Sequence, residues 1–173
     1  MLYAAIFVIF PFCMVFAVIS DLLSMTIANR VSVLLVAAFA VLAPLTGMDW
    51  ATYGLHFLAG ALVLAVTFGI FAIGGMGGGD AKLMTGTAVW MGFNFQLLDY
   101  LVSAAFLGGL LTILILMFRK SPLATVHGNN MFLRHLSDES TGIPYGIALG
   151  VAGLLVFPQS PLVVAALQQL AAN

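Results

Sequence analysis

MLYAAIFVIFPFCMVFAVISD, residues 1–21, decides which solvent this chain folds in. Twenty residues pass without a charge, and the first charge to arrive is an aspartate. A bilayer core about 30 Å thick is crossed by about 20 apolar residues as a helix, within a range of roughly 17 to 25. The run therefore has the length of a span. Its apolar residues are continuous rather than alternating, which suits a helix and not a strand of a β-barrel. Nothing basic leads it, so it reads as a retained helix rather than a cleaved signal peptide.

The rest of the chain has the same character. Of 173 residues, five are Lys or Arg and six are Asp or Glu, 6% in all, whereas 63% are hydrophobic. A soluble domain is about 25% charged. That gap excludes a soluble globular domain and a disordered chain, and a net charge of -1 excludes a nucleic-acid binder. Cys13, alone in an apolar run, excludes a disulfide scaffold. The solvent is lipid.

Cutting the chain at its charges leaves six long runs, 1–20, 31–48, 50–79, 83–98, 100–118 and 140–173. Each can hold one span. The fold class predicted is an all-α integral membrane protein of one domain, residues 1–173, with six transmembrane helices at about 2–23, 31–47, 52–73, 82–95, 97–118 and 142–157. Pro158 and Pro161 break the last run, and the tail 161–173 is expected along the interface. Residues 121–137 read equally well as a surface helix or a plain linker.

Orientation follows from the basic residues. Six spans put Arg30, Lys82, Arg119, Lys120 and Arg134, all five of the Lys and Arg, on one side. The positive-inside rule makes that side cytoplasmic and leaves both termini outside. The opposite connections, near Asp49 and from Asn94 to Asp99, carry no Lys or Arg.

The acids then sort themselves. Asp49 beside Trp50 and Asp99 beside Tyr100 read as outer-turn charges with aromatic interface anchors, and Asp138 and Glu139 as charges of the polar connection 119–141. Asp21 and Asp80 differ, because each falls at the cytoplasmic end of an apolar helix. Blandly, Asp21 is an interfacial charge and Asp80 an N-cap. An acid inside the membrane costs about 2.5–3.5 kcal/mol at a helix centre and is a functional candidate by default. Two facing carboxylates in a poorly solvated place cannot comfortably both ionise, so such a pair holds a shared proton. One carboxylate can then take a proton from a water while the other donates to a carbonyl oxygen. That is the chemistry of aspartyl peptide hydrolysis, and it asks for no metal or other cofactor.

Asp80 follows five glycines in six positions, Gly74, Gly75, Gly77, Gly78 and Gly79. Glycine costs a helix about 1 kcal/mol relative to Ala, so the run is expected to end the third helix and turn the chain into the fourth. Absent side chains also let another backbone approach Asp80 closely. A phosphate-binding loop is disfavoured, because the Gly-x-x-x-x-Gly-Lys-Ser/Thr order is missing and a carboxylate ends the run.

Gly77-Gly78-Gly79-Asp80-Ala81-Lys82-Leu83 resembles the Gly-x-Gly-Asp-x-Lys signature of type IV prepilin peptidases, membrane aspartyl proteases. Asp21-x5-Ile27-Ala28-Asn29 resembles the family's other signature, with Ala28 where Pro is usual. Ile143-Pro144-Tyr145-Gly146 resembles a third. The resemblance implies a peptidase that removes the short basic leader of a pilin-like precursor, cutting on the cytoplasmic side after a Gly. It implies Asp21 and Asp80 as the catalytic pair and Gly77, Gly78 and Gly79 as shapers of the loop. It places Lys82 near the leader or the aspartates, and Asn29, Pro144, Tyr145 and Gly146 as supports. With one Cys and no room before Asp21 for the paired Cys-x-x-Cys domain of many members, the chain is similar to the short form of tight-adherence (Flp-type) pilus systems, without methyltransferase activity. Archaeal preflagellin peptidases share the two-aspartate plan. Presenilin-like proteases share Gly-x-Gly-Asp, but their partner acid stands on the preceding helix, and here 52–73 carries none. The partners expected are the precursor and the bilayer of a prokaryotic inner membrane, with no nucleic acid; a homo-oligomer is left open.

Other residues are given quieter readings. His56 is expected to be packed or hydrogen-bonded, and Cys13 to be an apolar filler. His127 and His135 lack partners at zinc-ligand spacing. Gly60, Gly108 and Gly109 are expected at close helix contacts. The rival class is a small transporter or ion-pathway component in which Asp21, Asp80 and Lys82 line the path.

Overall fold

The computed structural model describes residues 1–121 and 142–171. The described residues form helices α1 (Leu2–Ser24), α2 (Asn29–Leu45), α3 (Trp50–Ala72), α4 (Gly78–Met91), α5 (Phe95–Arg119), α6 (Tyr145–Val156) and α7 (Pro161–Ala171). A 3₁₀ turn at Phe157–Gln159 joins the last two, and no strand occurs among them. Arg134, Asp138, Glu139, His127 and His135, and most of the 121–137 reading, lie outside the described residues.

Four stretches are long and apolar enough to cross a membrane: Leu2–Ser24, Trp50–Ala72, Phe95–Arg119 and Tyr145–Ala171. The 17-residue α2 is apolar but shorter, and α4 has 14 residues. The chain is a multi-pass membrane protein.

Short α4 is the centre of the bundle. Eight of its 14 residues are buried, against five of 25 in α5. It packs chiefly against α3 and α2 and also meets α6. Within lipid, apolar burial does not draw helices together, so close fit and hydrogen bonds must. Both are present. A Cβ on Gly60 would stand 2.5 Å from a methyl carbon of Val89, so the α3–α4 approach requires glycine there. Trp90 Nε1 donates to the Leu35 carbonyl at 2.9 Å, tying α4 to α2. Around that indole, Phe10 and Phe39 bring their rings to 5.1 and 5.9 Å, and Phe157 stacks on Phe10 at 4.6 Å.

Most helix ends agree with the expected spans, but the fourth is displaced, starting at Gly78 instead of 82 and stopping at Met91 instead of 95. The glycine penalty misplaced the start: Gly78 and Gly79 form the first turn, while the reversal is made earlier by Gly74 at φ 76°. Gly92, at φ 77°, ends the helix. Asn94 then caps α5, accepting from the N–H groups of Gln96 and Leu97 at 2.9 and 3.4 Å. Asp99 and Tyr100 are therefore inside α5, and Tyr100 is no interface anchor but wholly buried. Asp49 is the N-cap of α3, accepting from Thr52 N–H at 2.9 Å, and Thr52 holds its exposed carboxyl below the usual carboxylate range. Trp50 beside it is 75% exposed.

His56 is 2% exposed, bonds Val89 O through Nδ1 at 2.7 Å and lies on Phe39. Cys13 is a buried free thiol. Gly108 gives room to the Tyr145 ring, whereas Gly109 faces open space and makes no close contact. The tail forms α7 and packs on the bundle through Leu162, Val163 and Ala166. Gln169 accepts from Tyr3 Oη at 2.6 Å and donates to Thr46 O at 3.0 Å.

Candidate active site

Asp21 is in the last turn of α1 and only 5% exposed. The helix ends just beyond it because Met25 turns left-handed, at φ 52°, and returns its N–H to the Asp21 carbonyl at 2.9 Å. Among the described residues Met25 is the one non-glycine with positive φ, a conformation that costs an ordinary side chain roughly 1–2 kcal/mol. The turn carries Ile27 back beneath the bundle, where it is 8% exposed.

Ile27 explains the five-residue spacing between Asp21 and Ile27. A Cβ on Gly79 of α4 would stand 3.2 Å from Ile27 Cβ, and one on Gly146 of α6 would stand 2.7 Å from Ile27 Cδ1. One isoleucine thus fits between the first turns of α4 and α6, and two glycines make the space. Both turns are held close to Asp21.

Each carboxylate then meets a helix N-terminus. The first turn of a helix leaves N–H groups without internal partners, and the helix dipole favours negative charge there. Pro144 caps α6 without a side-chain bond, and the Gly146 N–H donates instead to Asp21 Oδ2 at 2.7 Å. Asp80 is the third residue of α4, not its N-cap, which is Gly77. Its carboxylate folds back toward Gly77, the side on which the acid of a capping box lies. A Cβ on Gly77 would stand 2.8 Å from Asp80 Oδ2.

The two carboxylates line one cavity of about 560 Å³. Backbone of Gly74, Gly75 and Gly77 forms part of its wall, with Met25, Met76, Ile143 and Tyr145 around it. Arg119, the last residue of α5, also lines it and donates to the Gly142 carbonyl at 3.0 Å. An arrangement of two acids, one cation and exposed glycine backbone can hold an extended peptide and present a water to its carbonyl.

The expected site residues divide into two groups. Asp21, Asp80, Gly77 and Tyr145 line the cavity; Gly79, Pro144 and Gly146 stand directly behind it. Gly78 packs on the Phe71 ring. Lys82 and Asn29 are elsewhere. Lys82 Nζ donates to Asn29 Oδ1 at 2.9 Å, and the pair lines a separate cleft of about 570 Å³ between α2, α3 and α4. Residues two apart on a helix point to different sides, so Lys82 turns away from Asp80. The ion path of Asp21, Asp80 and Lys82 is thus not one cavity. Sequence reasoning missed Arg119 and Met76. Only a basic residue in a helix's last turn at the acids' end pointed to the first.

The Type IV leader peptidase family model matches residues 8–117, which include Asp21 and Asp80 and stop short of Pro144 to Gly146. No curated protein and no solved structure matches the chain.

Proposed function

The chain belongs to the type IV leader peptidase family, and from that premise we propose that it is an intramembrane aspartyl endopeptidase using Asp21 and Asp80. Membership makes it a protease with a pilin-like precursor as substrate. The observation that carries the finer reading is the shared cavity of the two carboxylates. With one proton between them, one carboxylate takes a proton from a bound water as its oxygen attacks the scissile carbonyl. The other donates its proton to the carbonyl oxygen. Collapse of the tetrahedral intermediate breaks the C–N bond, and a proton passes to the leaving amine. The Gly146 N–H fixes the Asp21 carboxylate in advance, which is where positioning lowers a barrier.

The topology we propose has six passes and both termini outside, with α2 and α4 as short inner spans. Arg30, Lys82 and Arg119 stand toward the end of the bundle that holds the aspartates, so the positive-inside rule supports cleavage on the cytoplasmic side, after the Gly of a basic leader. Tight-adherence (Flp-type) precursors are the substrates to try first, because the motif pattern resembles that branch. The test is reconstitution: purified protein in liposomes should shorten a pilin-like precursor by its leader. A precursor left intact, with ion flux across the same liposomes, would overturn the reading.

Lys82 and Asn29 are proposed as a brace that ties the start of α4 to the start of α2. An exposed bond of this kind contributes about 0.2–1 kcal/mol, so Lys82→Ala is expected to slow processing by less than about tenfold. Rates from a precursor time course check this, and a loss as deep as that of an aspartate variant would give Lys82 a direct part in the chemistry.

A further inference from the structure

Beyond the catalytic cavity, Met76 has a second neighbour. The same residue lines a cleft of about 290 Å³ that runs between α3 and α5, with Met84 of α4 on its floor. Its walls are apolar except Thr67, whose hydroxyl is spent on the Val63 carbonyl at 2.8 Å. At the far end Phe93 and Leu101 belong both to this cleft and to an outer apolar pocket of about 370 Å³. Three cavities thus adjoin in turn through shared lining residues, from the aspartates at Met76, along α3, to the opposite end of the bundle. The path lies open to lipid: Val66 on one wall is 65% exposed and Phe93 is 57% exposed. The helices beside it have surface to spare, since only 17% of the α5 span window is buried and α3 barely touches α5.

We propose that this groove docks the apolar transmembrane helix of the substrate, and that the helix enters it with its N-terminal end at Met76. The inference rests on the leader-peptidase reading and adds where the substrate's membrane segment sits. A peptide at this depth has no water to satisfy its backbone, so it must be helical. The α3 wall of the cleft runs from Ala59 to Ile70, about 16 Å at 1.5 Å per residue, which matches some three turns of a docked helix. An apolar helix gains nothing from leaving lipid for a flat apolar wall, but it does gain from a shaped groove with close packing. Continuity decides which segment fits. The groove meets the catalytic cavity only through Met76, so the chain that continues from the docked helix passes the two carboxylates at once. The scissile bond then lies within a few residues before the helix, and the polar leader lies in the cavity lined by the glycine backbone. The helix is thus a ruler that sets the cleavage site.

The test compares two substrates in proteoliposomes: a full precursor with its apolar helix, and a soluble peptide that ends shortly after the cleavage site. Val66→Trp fills the groove at an exposed position. It is expected to lower kcat/KM for the full precursor by about tenfold, mainly through KM, while the peptide stays within about twofold. Val33→Trp, in the separate cleft with Lys82, should change neither. As a second measure, Val66→Cys in a Cys13→Ala background should form a disulfide with a cysteine early in the precursor helix, and Val33→Cys should not. If lipid acyl chains fill the groove instead, Val66→Trp leaves the precursor untouched and no disulfide forms, which overturns the proposal. Equal losses on both substrates, or equal losses from Val33→Trp, also overturn it. Wild-type protein that cleaves neither substrate removes the peptidase reading itself, and the docking proposal with it.

Discussion

Asp21→Asn and Asp80→Asn are each expected to reduce leader cleavage by at least about a thousandfold, within the range that general acid–base catalysis contributes. The amide keeps the shape of the carboxyl, and at position 21 its oxygen can still accept from the Gly146 N–H. What it cannot do is exchange the proton, so the substitution isolates chemistry from packing. Asp→Ala at either position should be as inactive, with some added loss of stability at position 21 as the Gly146 N–H loses its acceptor. Because the pair acts as a unit, the double Asn variant should be hardly worse than either single one. Co-expression with a precursor, read as its change in mobility, measures all of this while membrane insertion is checked in parallel. Full processing by either Asn variant would end the two-aspartate assignment.

Gly146→Ala should have the next largest effect. A single methyl there would stand 2.8 Å from Asp21 Oδ2, 2.9 Å from Asp21 Cβ and 2.7 Å from Ile27 Cδ1. Two of these atoms end their side chains, but Asp21 Cβ is fixed to its own helix and cannot swing clear, so the first turn of α6 must move away from α1. Overpacking of this kind costs typically about 1–3 kcal/mol, and a displacement near 1 Å at a reacting group can cost about a hundredfold in rate. Processing should therefore fall by about two orders of magnitude, with a lowered melting temperature in detergent. Gly109→Ala is the matched control. Its new methyl meets nothing within 4 Å, and a surface change of that sort stays within about 0.5 kcal/mol. Wild-type rates from Gly146→Ala would show that α6 does not hold Asp21 for catalysis.

How much of this could be read from the letters alone depends on the kind of physics involved. Charge scarcity marks the apolar helices and singles out Asp21 and Asp80, because a charge in lipid is costly wherever the bundle puts it. Directions around a helix are another matter. The resemblance places Lys82 near the leader or the aspartates; with α4 beginning at Gly78 rather than residue 82, it lines the other cleft and not the one that holds Asp80. Tyr100 reads as an anchor because aromatics favour interfaces, yet it stands within the first two turns of α5 and is wholly buried. Glycine misled in one place and informed in another. Penalties measured in water hid the first turn of α4, while the same absence of side chains marked where backbone would approach a carboxylate. Met76 carries no local signal and Arg119 only its place in a helix's last turn, since what brings them to the cavity is the packing of helices far apart in sequence.

The bond from Gly146 to Asp21 also sets a schedule. A growing chain releases α1 and α4 into the membrane long before residue 146 is made. Until α6 inserts, Asp21 lacks the N–H that holds it, and the pocket above Ile27 lacks one of its walls. Both acids are thus in place in a half-synthesised chain, but the machine that would use them is not. A chain interrupted before that point is therefore expected to be an inert fragment and not an unregulated protease.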